Sequence, residues 1–237
     1  MKRKILLSVC GLFNFIICFS QGNKPASGAK PVTISKSVLK DARDSASYAM
    51  GIFAVNIFRE QGITNMNSSI VARAINDLQA KKKPLINDDD ANMAILKYQT
   101  AQAIAKAKPN IDAGNTFLAE NKKKSGVKTT PSGLQYEILT AGSGALPING
   151  DSVSCNYKGY FINGAEFDNS YKYGHPVTFS VNGVIDGWTE ALKMMPVGSK
   201  WKLYVPYYIG YGPSDYHDIP GGSVLIFEME LVGIRGK

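Results

Sequence analysis

A chain of 237 residues is long enough for one large domain or two modest ones, each able to bury its own core. Hydrophobic residues make up 44% of it and charged residues 19%, which excludes a chain that is disordered throughout. The formal net charge of +8 is mild for this length, and the short basic runs at 81–83 and 122–124 contain no aromatic residues that could stack on bases, so we expect no nucleic-acid partner.

The first twenty residues are typical of an export signal. Three cations at 2–4 precede an apolar run over 5–19, which is shorter than the roughly 20 residues that a membrane-spanning helix requires. Cys18 and Ser20 are small residues at the minus-three and minus-one positions of a cleavage site, which predicts cleavage before Gln21. An uncleaved anchor remains the alternative. Cleavage removes three cations and no acid, so the mature chain would carry 8 − 3 = +5.

The cysteines indicate a chain without an internal disulfide. Cleavage of the signal would remove Cys10 and Cys18 and leave Cys155 as the only thiol, even in an oxidising compartment. Cys155 alternates with Val153 and Tyr157 in a strand-like stretch, which puts all three on one face. We therefore expect a buried, unreactive thiol.

Two helices are predicted after a flexible lead. Residues 21–35 are rich in Gly, Ser, Pro and Lys and need no fold of their own. Apolar residues at three-to-four spacing over 48–57 predict a first helix that ends near Gly62. A second helix is expected to begin at a cap, Asn67 or Ser68, and to carry its apolar side chains on one face.

A third, longer helix is predicted to begin at Asn87. This residue can cap the helix, and the three aspartates that follow lie in the first turn, where the helix dipole favours negative charge. Apolar positions then recur as far as Leu118, and Pro109 is expected to kink or break the helix because it lacks an amide hydrogen. The run at 122–126 ends the helical region, so we expect an all-α domain over 36–125.

The remainder of the chain, residues 126–237, has the pattern of a β domain. Short β-rich runs separated by Gly, Pro, Asn and Asp lie at 134–139, 153–160, 177–181, 201–205 and 224–232. The stretch 189–195 is long enough for a helix to lie across the sheet. The predicted fold class is therefore α+β, with a curled antiparallel sheet wrapped on one short helix and preceded by the all-α domain.

Neither a metal nor a cofactor is expected. His175 and His217 lie in loop-like stretches without an acidic or cysteine partner at ligand spacing. The Gly142-Ser143-Gly144 stretch lacks the glycine fingerprint and the following helix of a phosphate loop, so it is interpreted as a turn.

Several motifs of the β domain occur together and in a fixed order. They are Tyr157-Lys158-Gly159-Tyr160, Phe167-Asp168-Asn169-Ser170-Tyr171, Val184-Ile185-Asp186-Gly187-Trp188 and Phe227-Glu228-Met229-Glu230-Leu231. This domain resembles the catalytic domain of the FKBP-type peptidyl-prolyl cis/trans isomerases. The helical half resembles the dimerising domain of the macrophage infectivity potentiator class of that family, through Ser47-Tyr48-Ala49-Met50-Gly51 and Phe117-Leu118-Ala119-Glu120-Asn121.

The resemblance implies a non-covalent rotation of Xaa-Pro bonds. Twisting an amide costs about 18 to 20 kcal/mol because resonance is lost. The twisted amide has also lost much of its charge separation, so a pocket poor in water disfavours it less than the planar ground state. Lowering the barrier by about 5.5 kcal/mol gives a rate gain near 10⁴. Such chemistry needs an apolar, aromatic pocket and no nucleophile.

Site residues carried over from the resemblance fall into two groups. The catalytic group is Asp168 beside the rotating carbonyl, Tyr211 as a hydrogen-bond donor to bound peptide, and Trp188 as the floor under the proline ring. The substrate-binding group is Tyr157, Phe167, Val177, Phe179, Val184, Ile185, Ile219 and Phe227, with the backbone amide of Ile185 holding a flanking carbonyl. Two plainer interpretations stay open: the aromatic rings as ordinary core packing, and Asp168 as a turn residue.

Three positions depart from the family pattern, and two of them, Tyr173 and Asp186, favour a second hypothesis. Tyr173 stands where many relatives have a basic residue, Val177 replaces a residue that is often aromatic, and Asp186 lies where proline is common. The first hypothesis is an exported isomerase that dimerises through its helices and acts on unfolded, proline-containing client proteins. The second is a dimeric binding chaperone with weak or no turnover. A small-ligand carrier with the same pocket is a third interpretation.

The resemblance carries two further expectations. Macrolide immunosuppressants would compete for the pocket. The protein would lie in the periplasm or at the outer membrane of a Gram-negative-type bacterium.

Overall fold

The computed structural model describes residues 38–63 and 65–235. The export signal and the flexible lead predicted at 1–20 and 21–35 lie outside this part of the chain. The described residues form two compact units, one before residue 64 and one from Asn65 onwards. Within them, no helix combines the length and the apolar character needed to cross a membrane.

The first unit contains helix α1, Ala42–Glu60. The Asp41 side chain caps it by accepting a hydrogen bond from the Asp44 amide at 2.8 Å. The chain leaves the helix through Gly62, whose φ of 76° is in the left-handed region that glycine tolerates, at the place where the sequence predicts an end. No residue of α1 is buried, and most of its large apolar side chains are exposed, such as Phe53 at 60%.

The second unit opens with helices α2, Ser68–Gln79, and α3, Asp88–Asn121. Asn67 caps α2 and Asn87 caps α3, as predicted. The side-chain oxygen of each accepts hydrogen bonds from amides of the first turn of its helix. The three aspartates that open α3 lie where the helix dipole favours them.

Pro109 is predicted to kink or break the helix, and the break is wrong, because α3 runs through this residue without interruption for 34 residues. A proline inside a helix costs about 3 kcal/mol, largely through the hydrogen bond it cannot donate to the carbonyl four residues earlier. The freed carbonyl belongs to Ala105, which is exposed, so water can hydrate it. Ala107 and Gly114 are buried on either side of it. Tertiary packing therefore holds both halves in one helix.

The sheet of the second unit has seven strands in the order β1-β2-β6-β7-β3-β4, with β5 paired to β3. All the pairings are antiparallel. The strands are β1 Lys128–Thr129, β2 Gln135–Thr140, β3 Ser152–Phe161, β4 Glu166–Asn169, β5 Val177–Ser180, β6 Lys200–Val205 and β7 Leu225–Ile234. Short 3₁₀ turns occur at Ser170–Tyr173 and Tyr207–Ile209. The predicted change from helices to strands at 125/126 falls between α3 and β1.

Helix α4, Asp186–Met194, packs against the central strands and begins three residues before the predicted 189. Alternate residues of β3 are buried, and they form one hydrophobic core with Trp188, Ala191 and Leu192 of α4. The α+β prediction, helices followed by an antiparallel sheet around one short helix, is confirmed.

Cys155 lies in this core with no exposed surface, as predicted. Burial raises the pKa of its thiol to about 12. The thiolate, which is the reactive form, is therefore almost absent at neutral pH.

Candidate active site

Three aromatic rings surround the indole of Trp188 in the hydrophobic core. The ring centroids lie 4.9 Å away for Tyr157, 5.5 Å for Phe179 and 5.0 Å for Phe227, and all three rings are nearly perpendicular to the indole. This edge-to-face geometry is the favoured one for aromatic pairs. Trp188 is only 5% exposed, and its buried indole N–H has no hydrogen-bond partner among the described residues. Packing of the rings therefore fixes the indole.

The sheet register explains why these rings meet. Tyr157 is on an inward position of β3, and Phe227 is on the neighbouring strand β7, opposite Gly159. A methyl group at Gly159 would lie 2.7 Å from Phe167 and 3.1 Å from Phe227. Both phenyl rings therefore rest directly on the backbone of β3, which only glycine allows.

Asp168 lies at the edge of this ring cluster, and its carboxylate is held on both oxygens. Oδ2 accepts a hydrogen bond from the Tyr157 hydroxyl at 2.6 Å, and Oδ1 accepts one from the Asn169 amide at 2.8 Å. Burial, and then the bond to Asp168, raises the pKa of the Tyr157 hydroxyl. Tyr157 thus remains a donor that orients the carboxylate at neutral pH.

Ser170 fixes the turn that follows Asp168, and the sequence analysis missed it. Its buried hydroxyl oxygen accepts a hydrogen bond from the Tyr157 amide at 2.7 Å. Asn169 then caps the 3₁₀ turn by accepting from the Tyr171 amide. One residue, Tyr157, is therefore tied to the 168–170 segment through both its side chain and its backbone.

Half-buried side chains form the rim of the cluster. Four of the predicted substrate-binding residues besides Phe179 pack against the core in this way: Phe167, Val184, Ile185 and Ile219. Ile185 lies directly before α4 and provides no side-chain cap. Its carbonyl accepts hydrogen bonds from the Trp188 amide at 2.9 Å and the Thr189 amide at 3.0 Å.

Val177 lies apart from the cluster. It pairs with Cys155 across β3 and β5 and is half-buried. It is absent from the partly buried side chains of the described chain that pack on the core. The structure thus brings most of the predicted pocket together and leaves Val177 at its periphery.

Tyr211 lies on the loop between β6 and β7. Its ring stacks on Tyr216 at a centroid distance of 4.5 Å, and it is 38% exposed. Burial of the hydroxyl raises the pKa of Tyr211, and the neighbouring Tyr216 and Asp168 raise it further. An acidic oxygen and a phenolic donor therefore lie near one another beside an apolar ring cluster.

Gly159 and Tyr216 are further site residues that the sequence analysis did not assign. A glycine inside an alternating strand indicates a close approach of another group, which is the signal that was available for Gly159. No comparable signal existed for Tyr216, since its stacking depends on a loop. Within 38–63 and 65–235, no three His, Cys, Asp or Glu side chains are grouped to hold a metal ion.

Comparison with known proteins identifies the family. A model of the FKBP-type peptidyl-prolyl cis-trans isomerase matches residues 144–232, and a model of the domain amino terminal to that isomerase matches residues 43–138. The chain is 36% identical to the outer membrane protein MIP of Legionella longbeachae, over 88% of this chain and 92% of that protein. It is 38% identical to the FKBP-type 22 kDa peptidyl-prolyl cis-trans isomerase of Escherichia coli, over 80% of this chain and 94% of that protein.

A solved structure is similar over most of the chain. The crystal structure of FkpA from Escherichia coli matches with a TM-score of 0.54 and 31% sequence identity, covering 83% of this chain and 98% of that one. The sequence matches and the fold agree. The chain therefore belongs to the FKBP-type peptidyl-prolyl cis-trans isomerase family, with the amino-terminal domain of its MIP and FkpA relatives.

Proposed function

We propose that this chain is an exported isomerase that rotates Xaa-Pro bonds of client proteins in the cluster around Trp188. The single observation that carries the proposal is the set of perpendicular rings on the indole, with the Asp168 carboxylate at their edge. A proline ring against the indole would place its preceding amide in a water-poor environment, where the twisted form is less disfavoured than the planar one.

Asp168 is proposed to act on the rotating amide. Its carboxylate is pre-oriented by Tyr157 and by the Asn169 amide, so no reorganisation is needed when the amide twists. The Tyr211 hydroxyl is the proposed donor to a peptide carbonyl, and its raised pKa keeps it protonated at neutral pH. The amide of Ile185, just before α4, is proposed to bind a second carbonyl.

An exchange measurement on a short Xaa-Pro peptide tests this site. We expect wild-type protein to accelerate cis/trans exchange, and Asp168→Ala and Trp188→Ala each to lower kcat/KM by roughly 10- to 100-fold. Asp112→Ala, which removes an exposed carboxylate from α3, is the matched control and should keep the wild-type rate. Equal rates in all four proteins would remove the proposed site.

We also propose that the helices form a homodimer. Helix α1 has no buried residue, and the exposed apolar side chains of the three helices include Phe53, Ile70 and Leu96. Such surfaces mark protein–protein contacts in soluble proteins. Two linked pockets would raise the apparent affinity for a long client without any new contact.

Sedimentation of the full chain tests the dimer independently of catalysis. Twice the mass of the chain is expected at micromolar concentration. A monomer at all accessible concentrations would remove the dimer and leave the isomerase proposal standing.

Export is proposed from the first twenty residues together with the relative named an outer membrane protein. We infer a periplasmic or outer-membrane location. Fractionation of producing cells, with N-terminal sequencing of the product, is expected to find a chain that begins at Gln21. A cytoplasmic chain that begins at Met1 would contradict this.

The second candidate function is a binding chaperone with little turnover. Tyr173 favours it, because this exposed tyrosine stands at a position where many members of the family have a basic residue. Its hydroxyl also raises the pKa of Tyr157, although less than burial and Asp168 do. This candidate predicts that wild-type protein suppresses aggregation of an unfolded client and leaves Xaa-Pro exchange at its uncatalysed rate.

A further inference from the structure

The loop between β6 and β7 carries two residues of the proposed pocket. We define residues 211–222 as the rim loop, which contains Tyr211 and Ile219. Tyr216 and Ile219 exchange two backbone hydrogen bonds of 2.9 Å, and the Gly222 amide donates to the Gly212 carbonyl at 3.0 Å. The loop is therefore closed at its tip and at its base by its own backbone.

Helix α3 contacts the base of this loop through polar groups. The Asn110 side-chain amide donates to the Gly221 carbonyl at 2.9 Å. The Lys106 ammonium pairs with Asp215 at 2.6 Å, and the other oxygen of Asp215 accepts from the Gly221 amide at 2.9 Å. Two helix side chains thus converge on one glycine, directly or through Asp215.

Close packing accompanies these bonds. Gly222 is buried, and a methyl group there would lie 2.6 Å from Ile111 and 3.0 Å from the Cβ of Ala107. Ala107 is 4% exposed, whereas the neighbouring Ala105 is exposed. The backbone of the loop therefore lies directly on the helix surface, with no space for a larger side chain on either partner.

We propose that helix α3 positions the rim loop, and through it Tyr211 and Ile219, by the contact of residues 106–111 with Gly221 and Gly222. Loops are the mobile part of most sites, and here the anchor comes from a helix that precedes the sheet in the chain. Lys106, Ala107, Asn110 and Ile111 are positioning residues, since they act on the pocket only through the loop. The inference rests on the proposed roles of Tyr211 and Ile219.

The ion pair is the weakest part of this contact. Lys106 and Asp215 are both largely exposed, and such pairs contribute little because water and salt screen them. Loss of the packing of Gly222 on Ala107, or of the hydrogen bond from Asn110, should loosen the loop most.

The test compares two alanine-to-leucine changes on one helix turn of the full chain. Ala107→Leu inserts a side chain under Gly222, and Ala105→Leu places the same side chain in solvent. We expect amide hydrogen exchange at Tyr216, Ile219 and Gly222 to become about tenfold faster in Ala107→Leu, with β7 amides unchanged. The value of kcat/KM should fall about tenfold, since misplacement by 1 Å can cost roughly 100-fold. Ala105→Leu should match wild type in both.

A double-mutant cycle separates positioning from a general loss of structure. If Ala107→Leu acts through Tyr211, its effect on kcat/KM should largely disappear in a Tyr211→Phe background. Additive effects would overturn the inference. Asn110→Ala, which creates no collision, should speed exchange of the same amides about threefold and lower kcat/KM by a similar factor. Lys106→Met removes only the exposed ion pair and should stay close to the wild-type values.

The outcomes distinguish this inference from the proposed function. Unchanged loop exchange and unchanged kcat/KM in Ala107→Leu and Asn110→Ala would overturn the anchor, while an active wild type leaves the isomerase intact. Faster loop exchange with unchanged kcat/KM would show that the helix holds the loop without positioning the pocket, which also overturns the inference. A wild type without activity would remove the proposed function, and loop exchange alone would then decide whether the anchor exists.

Discussion

The apolar side chains of the sheet around α4 are mostly buried, whereas most of those on the three preceding helices are exposed. Trp188 at the centre of the sheet cluster is 5% exposed, whereas Phe53 of α1 is 60% exposed and Leu96 of α3 is 54% exposed. The rings of the cluster find partners within the same chain. Most of the large apolar side chains of the helices stay exposed among the described residues, although Ala107 of α3 is buried where this helix meets the rim loop.

This difference teaches that the two regions depend on different partners. The sheet cluster is complete within one chain, and in the proposed function its half-buried rim receives a proline ring. The helices leave an apolar surface that a single chain cannot bury, which is the expected state of one half of an interface. Stability of the sheet should therefore be independent of protein concentration, and that of the helices should depend on it.

The largest effect should follow from emptying the sheet cluster. Trp188→Ala removes the ring that three others contact and is expected to lower the free energy of unfolding by roughly 3–5 kcal/mol. Urea unfolding followed by circular dichroism measures this. Tyr208→Ala, at an exposed ring of the same unit, is the control and should cost far less. A similar cost for both would show that the indole is not the centre of this core.

Placing charged residues on the apolar surface of the helices should have a smaller effect, on self-association rather than on folding. Phe53→Glu with Ile57→Glu is expected to weaken self-association by roughly 100-fold or more, because an interface cannot bury unpaired carboxylates. Sedimentation measures the change. Ala42→Glu introduces the same charge at an exposed position in the first turn of α1, outside residues 47–51, and should leave the mass at that of wild type. An unaltered dimer in the double variant would place the interface elsewhere.

Next in size is the loss of one hydrogen bond in the site. Tyr157→Phe removes the donor to the Asp168 carboxylate and is expected to cost about 1–2 kcal/mol at pH 7.

The same variant should alter the pH dependence of stability. The pKa of Tyr157 is raised by burial and by Asp168, so the unfolded chain loses this proton above about pH 10 while the folded chain retains it. The free energy of unfolding should therefore fall as pH rises above about 10, and fall less steeply in Tyr157→Phe. Equal slopes in urea unfolding between pH 8 and 11 would contradict this.

The smallest effect concerns a residue that the core isolates. In a chain that begins at Gln21, Cys155 should fail to react with a disulfide reagent at pH 8 and react at once in urea, since burial raises its pKa to about 12. Absorbance of the released thiol measures the rate, and Cys155→Ser provides the blank. Rapid reaction in the folded state would mean that β3 opens easily.

Much of this arrangement could be predicted from local signals. Caps at Asn67 and Asn87, the inward thiol at Cys155 and the α+β order all follow from side-chain chemistry within a few residues. The pocket residues came from the family motifs, since composition alone leaves aromatic rings as ordinary core.

What could not be predicted depends on contacts between distant segments. The helix continues through Pro109 because Ala107 and Gly114 are buried against residues more than a hundred positions later. The bond of Ser170 to Tyr157 and the stack of Tyr216 on Tyr211 likewise need the assembled sheet and loop. No periodicity along the chain reports on such pairs.

Gly159 has a consequence for anyone who would alter which guests the pocket accepts. Phe167 and Phe227 pack directly on the backbone of Gly159. Neither ring can therefore move closer to β3, and a side chain at residue 159 would displace both rings. In the proposed pocket, room for a bulkier imino acid must therefore come from other half-buried residues, such as Ile219. Libraries aimed at new specificity should leave residue 159 alone and vary those positions.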